Sequence, residues 1–392
     1  MYPALLRPAL LAMFAVLVLV KIPGVLAGRL WAEDGFFLWD ALHLPWWQAL
    51  FAPHTGYIDF TASAALLLAT RISDLTNVGL ASVALAWIIQ VCPAIILLTS
   101  RCQWLQSPWS LATALLLILL PPMTEEVWLS PVTSQYHLMI CVACILAFEP
   151  ATRRAFWFQC VVLGIAGLTG PGPSLATPLF LLRATIERSW QRVLQAIILT
   201  VGTLIEIRTS LLYYEPTRHL EIGPLVLGKI IYLKHVTLPF FGSYAANMLF
   251  ALAPLLVLLL LVGLAGAVIK ARGHEVRWLF ATCMIMMVLS YIGSLGPKED
   301  LLNLLSGQRY YYAPQVLLGL TLLGIACTGR PVVLRKLVVG LVSWMLLVGG
   351  WQYRQVNPAM AKGPSWSEQI EQWRTDPSKP IMVWPPSIRI RL

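Results

Sequence analysis

IDFTASAALLLATRISD, residues 58–74, decides how this chain is threaded. Its apolar core runs only from Ala62 to Ala69, with Asp59, Arg71 and Asp74 flanking it. A run this short is more often interfacial or re-entrant than spanning, because a helix needs about 20 apolar residues to cross a bilayer. Its crossing sets the side on which every later loop emerges. If it stays on one face and the N-terminus is inside, Arg101, Arg153, Arg154, Arg183, Arg188, Arg192, Lys270, Arg272, Arg277, Arg330, Arg335 and Lys336 all fall in cytoplasmic loops. Short cytoplasmic loops are where Lys and Arg concentrate. If it crosses, all of these turn outward, so the non-crossing reading is preferred.

Composition supports a chain threaded through lipid. Of 392 residues, 58% are hydrophobic and 12% charged, against about a quarter charged in soluble domains. The formal charge of +10 is scattered between apolar runs, so it reads as a topology signal and not as a nucleic-acid surface. The seven cysteines fall in or beside apolar segments. Cys141 and Cys144 form a CxxC on a hydrophobic helix, where packing is the simpler reading than metal. No phosphate-binding G-x-x-x-x-G-K-[ST] occurs, and Gly164, Gly167 and Gly170 suit close helix packing.

The expected fold is an all-α polytopic membrane protein with about 11 transmembrane helices. They lie near 5–28, 78–100, 108–122, 135–150, 155–170, 173–183, 192–211, 246–269, 277–295, 311–328 and 333–351. The first resembles a secretory signal but is long enough to span, and is read as an uncleaved anchor. The segment 173–183 follows the breaker-rich Thr169-Gly170-Pro171-Gly172-Pro173 and is the weakest span. Residues 1–351 thus form a transmembrane domain, and 352–392 a short extracytoplasmic tail rich in Pro and Trp.

Between the first two spans lies an extracytoplasmic loop, about 29–77, with two surface-lying helices. The first, 36–50, carries Phe36, Phe37, Trp39, Trp46 and Trp47, rings suited to the headgroup level. The second is the segment 58–74. Other outward elements are 121–128, 213–245 and 296–312. They are longer than the inward loops, which directs the search for function to the outer face.

The loop opens with RLWAEDGFFLWD, residues 29–40. WAEDGFF, followed by GYIDF, then LTGPGPSLATPLFLLR and GQRYYYAP, resembles bacterial members of the GT-C glycosyltransferase superfamily, multispanning enzymes that use polyprenyl-phosphate sugars. The resemblance extends over most of the chain as an ordered set of weak signatures. It implies a GT-C-like fold in the bacterial inner membrane with an active site facing the periplasm. It also implies transfer of a monosaccharide from a polyprenyl-phosphate donor to a cell-envelope glycan or lipid acceptor, such as lipopolysaccharide O-antigen. An acidic residue soon after the first span is the superfamily's hallmark, and Glu33 and Asp34 match it.

A loop carboxylate suits that chemistry as general base for the acceptor hydroxyl. The leaving phosphate needs cations or hydrogen-bond donors and not a general acid. Asp34 is preferred as base with Glu33 as partner or alternate; the competing reading is that Asp34 merely N-caps the helix near Phe36. Arg309, ahead of Tyr310, Tyr311 and Tyr312, is the candidate for the donor phosphate, against a snorkelling Arg in an aromatic belt. Lys298, Lys234 and His54 are further options for the phosphate. For the sugar the candidates are His54, Tyr57, Asp59 and Tyr310, with turn-capping as the alternative for Asp59. Glu125 and Glu126 are a rival base, or ligands for a divalent ion that some GT-C enzymes require; no other cofactor is expected. Glu206 and Arg208 are expected to neutralise each other or line the cavity. A transporter or flippase of a lipid-linked sugar, or a glycan polymerase or ligase, remains the alternative function. The expected partners are the lipid donor, the acceptor and membrane lipid, with no nucleic acid.

Overall fold

The computed structural model describes residues 3–216, 220–242, 250–353, 355, 363–385 and 388–392. Parts of the expected outer segment 213–245 and of the tail therefore lie outside the described residues. The rest is helical, with only two short antiparallel hairpins, β1–β2 (Pro53–His54 with Tyr57–Ile58) and β3–β4 (Ile381–Met382 with Arg389–Ile390).

Seven helices among the described residues are long and apolar enough to cross a membrane: Leu75–Leu98, Trp190–Leu212, Pro224–Phe241, Phe250–Lys270, His274–Ile292, Gln308–Thr328 and Val332–Tyr353. Leu5–Leu19, Phe60–Ile72, Pro108–Leu119 and Ser134–Ala147 are apolar but shorter. The chain is an all-α protein of multi-pass membrane character. Ser134–Ala147 is buried around its whole circumference and packs on Val78–Leu98, His274–Ile292, Arg153–Gly167 and Gln308–Thr328, so it forms the centre of the bundle. By contrast, Ala253–Lys270 turns Leu255, Leu258, Leu259 and Leu260 outward. An apolar face of that kind fits lipid and not water.

Besides Leu5–Leu19, Pro108–Leu119 and Ser134–Ala147, two further expected spans form helices shorter than a bilayer. Residues 155–170 give the 15-residue helix Arg153–Gly167, and 173–183 give the 11-residue helix Thr177–Glu187, about 22 and 16 Å at 1.5 Å per residue. Glycine lets the first pack closely. A Cβ on Gly202 would sit 2.6 Å from the Gly167 Cα and carbonyl oxygen, so the Trp190–Leu212 helix meets it backbone to backbone.

The basic loops gather at one end of the bundle. There Arg7 donates to Leu98 O at 2.8 Å, Arg101 N–H to Glu149 O at 2.8 Å, and Arg335 to Ala326 O at 3.2 Å. Arg183 and Arg192 share Glu149 and Glu187. At the opposite end, Lys21 donates to Leu119 O and lies over Tyr353, whose hydroxyl donates to Leu17 O. Tyr310 accepts there from Leu295 N–H.

The ambiguous segment stays near that second end. Phe60–Ile72 has 13 residues, about 20 Å against roughly 30 Å of hydrocarbon. It starts beside Leu168, where Phe60 N–H donates to Leu168 O, and ends against the start of the Val78–Leu98 helix. Pro224–Phe241, within the segment expected to be an outer loop, is long enough to cross. Yet Gly228 packs on Pro254, His235 bonds to Tyr291, Lys234 to carbonyls of Asn303, Leu304 and Ser306, and Gly242 on Gln352. These partners lie at helix ends on the Lys21 side of the bundle, while Phe240 O accepts from Trp344, midway along Val332–Tyr353, and the segment lines a cleft with Leu337 and Leu341. A π-helical stretch, Tyr232–Thr237, interrupts the helix at that level.

The C-terminal segment is no loose tail. Its helix Trp366–Thr375 and the β3–β4 hairpin share an apolar cluster with Leu30, Trp31, Phe37, Leu38, Ala62 and Leu66 of the first loop.

Candidate functional site

The first loop leaves the opening helix through Gly24 and Gly28, both with positive φ (73° and 79°), conformations that glycine adopts without strain. A helix then begins at Asp34, so Asp34 is its first residue and not its N-cap. The carboxylate turns back instead. Oδ2 accepts from Trp31 N–H at 2.8 Å and from the Ser130 hydroxyl at 3.2 Å, while Oδ1 accepts from Val132 N–H at 3.3 Å. Asp34 is fully buried. Burial pushes its carboxyl up to about 7, against the opposing hydrogen bonds from Trp31, Val132 and Ser130, and the neighbouring Glu33 charge adds to the rise.

Glu33, one residue earlier, faces a different environment. Its Oε1 takes a hydrogen bond from Arg309 Nη1 at 2.9 Å, while Arg309 Nη2 reaches Glu126 Oε1 at 2.7 Å. One guanidinium thus bridges two carboxylates from separate loops. Gln308 fixes the same loop, its Oε1 accepting from Glu126 N–H at 2.9 Å. Glu33 keeps 29% of its side chain exposed, and its Oε2 has no hydrogen-bond partner among the described residues.

Asp59 completes the acidic group. It caps the Phe60–Ile72 helix, Oδ1 accepting from Ala62 N–H at 3.0 Å and the Thr61 hydroxyl at 2.9 Å, while the buried Oδ2 is unpartnered. Burial pushes this carboxyl up to about 7, with Ala62 and Thr61 opposing and the Asp34 charge reinforcing. Turn-capping, one of its two expected roles, is therefore visible. Tyr57 lies alongside. Gln135 Nε2 donates to its hydroxyl at 3.5 Å, and burial pushes the phenol up, partly offset by the Arg309 charge.

The remaining candidates are held elsewhere. His54 Nε2 bonds to Asp40 Oδ2 at 2.6 Å, its ring stacked on Phe36 and edge-on to Phe37. Lys298 donates to Ile292 O, Ser294 O and the Ser294 hydroxyl, and Lys234 to three loop carbonyls. Their ammonium groups fasten backbone turns. Tyr310 accepts from Leu295 N–H and stands edge-on to Tyr136. Glu206 turns to the Ile58 N–H at 3.3 Å. Glu125 is buried with Oε2 unpartnered, and burial raises its pKa against the Lys21 charge. Among the described residues no three His, Cys, Asp or Glu side chains are grouped to hold a metal ion, and the Glu126 carboxylate is engaged by Arg309.

The sequence reading passed over Arg29, Ser130, Gln135, Gln308 and Trp384. Arg29 and Gln308 are close neighbours in the chain of chosen residues, which was the one available signal. Ser130 and Trp384 carried none, since their place depends on how distant loops meet.

The assembled site has one partly exposed acidic side chain beside a guanidinium, two sealed carboxylates behind it, and tyrosine and amide donors around it. That arrangement can accept a proton from a hydroxyl and meet an anion. No protein-family model and no curated protein matches the chain.

Proposed function

We propose that the chain is an integral membrane glycosyltransferase moving a monosaccharide from a polyprenyl-phosphate-linked donor to a cell-envelope glycan or lipid acceptor, at the periplasmic face of the bacterial inner membrane. The observation that carries this reading is the meeting of Glu33 and Arg309, 276 residues apart, at the end of the bundle away from the basic loops. A base and a phosphate receptor are the minimum set for inverting displacement at an anomeric carbon with a phosphate leaving group.

In this reading Glu33 takes over from Asp34 as the proton acceptor. Asp34 is sealed, and both of its oxygens accept hydrogen bonds from the loop it holds. Glu33 keeps its side chain partly open, and its Oε2, buried in this structure, has no hydrogen-bond partner among the described residues. The donor phosphate competes with Glu33 and Glu126 for Arg309. Glu33, released, takes the proton of the acceptor hydroxyl as that oxygen attacks the anomeric carbon. The bond from that carbon to the phosphate oxygen breaks, and the electron pair leaves with the prenyl phosphate, its charge met by Arg309. Asp34 keeps the Trp31 and Ser130–Val132 backbones in place, a positioning role.

An apolar cleft of about 530 Å³, lined by Ile231, Phe240, Val257, Leu261, Leu337 and Trp344, suits a lipid chain and supports a lipid-linked donor. The experiment is complementation with Glu33→Gln and Asp34→Asn, reading envelope glycan by mass spectrometry. Loss of one sugar with Glu33→Gln and a milder deficit with Asp34→Asn is expected. Unaltered glycan in both variants would remove the assignment.

A further inference from the structure

We propose that Arg29, beside Trp31, is a second anion site, for a phosphate group, which Trp384 and the C-terminal segment close in this structure. Arg29 is 1% exposed, and its Nε, Nη1 and Nη2 have no hydrogen-bond partner among the described residues. A guanidinium carries five N–H donors in a fork that matches phosphate. Leaving all of them buried and unmet is costly. What compensates is weaker. The Arg29 guanidinium carbon lies 4.7 Å from the Trp31 ring centre and 5.1 Å from that of Trp384, within cation–π reach. Asp34 and Glu126 act on it only through their charge. Every other fully buried arginine in this fold is met by oxygen: Arg183 has Leu146 O, Glu149 and Glu187.

One wall of this chamber is removable. Trp384 comes from the far end of the chain and is held by Ala32 N–H to Trp384 O at 2.7 Å and Trp384 N–H to Leu30 O at 2.9 Å. Its indole N–H donates to Pro364 O, still within the same segment. The segment's other contacts with the loop are the Trp366 indole N–H on Leu75 O at 2.8 Å, Ile390 on Gly35, Trp366 on Gly79, an exposed Arg374–Asp74 pair, and the apolar cluster that Ile370, Ile381 and Val383 share with Leu30, Trp31 and Phe37. Lifting the hairpin breaks the two Trp384 backbone bonds, costs the apolar contacts of Ile381, Val383 and Trp384 with Leu30 and Trp31, and uncovers a complete set of guanidinium donors. The site does not depend on the transferase reading, since any phosphate-bearing headgroup offers the same chemistry.

The test is hydrogen–deuterium exchange on the full chain in detergent, with farnesyl phosphate, inorganic phosphate or farnesol. Farnesyl phosphate is expected to speed exchange of the Ala32 and Trp384 amides about tenfold, since a bound ligand favours the lifted state. Arg29→Gln should abolish that response. Inorganic phosphate acting equally assigns the site to phosphate itself; a response to farnesyl phosphate alone assigns it to a lipid-linked source. No response to either anion, the same response in Arg29→Gln, or a response to farnesol would overturn the proposal. Because Arg29→Gln risks misfolding, Trp384→Leu is the second variant. It keeps the guanidinium and weakens the lid, so farnesyl phosphate should bind about tenfold tighter in equilibrium binding; unchanged affinity would also overturn it. Sugar transfer is read in no arm, so a failed transferase reading leaves these outcomes interpretable.

Discussion

The two ends of the bundle handle buried charge in opposite ways. At the basic end, Arg183 and Arg192 each find oxygen for every guanidinium nitrogen, through Glu149, Glu187, Gln195 and the carbonyls of Ile145 and Leu146. At the acidic end, Glu33 Oε2, Asp59 Oδ2, Glu125 Oε2 and all three nitrogens of Arg29 are left without partners. A saturated network fastens helices together. An unsaturated one holds free energy that a ligand can recover, which is why the function is sought among Glu33, Arg309 and Arg29 and not among the more numerous charges opposite.

The largest expected effect that tests this contrast is Glu33→Gln. Loss of a positioned general base should lower transfer about 100- to 10,000-fold, with a melting temperature close to wild type. A collapse of stability in place of activity would move Glu33 into the structural class. The converse change is Arg183→Ala. Removing one partner of a buried pair costs about 3–5 kcal/mol, and since Glu149 is half exposed a lower figure of about 2–3 kcal/mol is expected. Thermal unfolding in detergent should register it, while activity per folded molecule stays unchanged.

The pH dependence sharpens the comparison further. Asp34 and Asp59 carry pKa values raised from 3.8 to about 7, so between those limits the folded chain binds more protons than the unfolded one. Their contribution to stability is therefore present at low pH, falls as pH rises from about 4 to about 7, and levels off above. Melting temperatures across that range should show the decline, and Asp34→Asn should remove part of it, leaving the Asp59 share. A flat profile in the wild type would refute the burial of both. The smallest effect is expected from Ser130→Ala. It removes a long hydroxyl bond to Asp34, about 1 kcal/mol, and should move the upper limit of the pH-dependent decline to higher pH.

Much of the fold was legible because hydropathy acts locally. A helix in lipid satisfies its own backbone, so an apolar run announces it. The limits came where length and position disagree. Pro224–Phe241 falls in a stretch expected to be an outer loop, yet it is apolar enough to cross and lies against Val257, Leu337 and Trp344. Thr177–Glu187 reads as part of a hydrophobic stretch but is too short to traverse a bilayer. For the site, Glu33 and Asp34 were conspicuous as adjacent carboxylates among aromatics. Their division was not, because neighbours in sequence point to different surroundings once the helix begins at Asp34. Lys298 and Lys234 were weaker options for phosphate than Arg309, and their ammonium groups sit on backbone carbonyls.

The sequence by itself determined that this is a helical chain of membrane character, with its basic loops distinct from one acidic loop. Those properties depend on side-chain transfer free energies, which are additive along the chain. Only the tertiary structure decided which charges are spent and which are free. That depends on distances between segments such as Glu33 and Arg309, or Arg29 and Trp384, and no local pattern encodes a contact made across the whole length of the molecule.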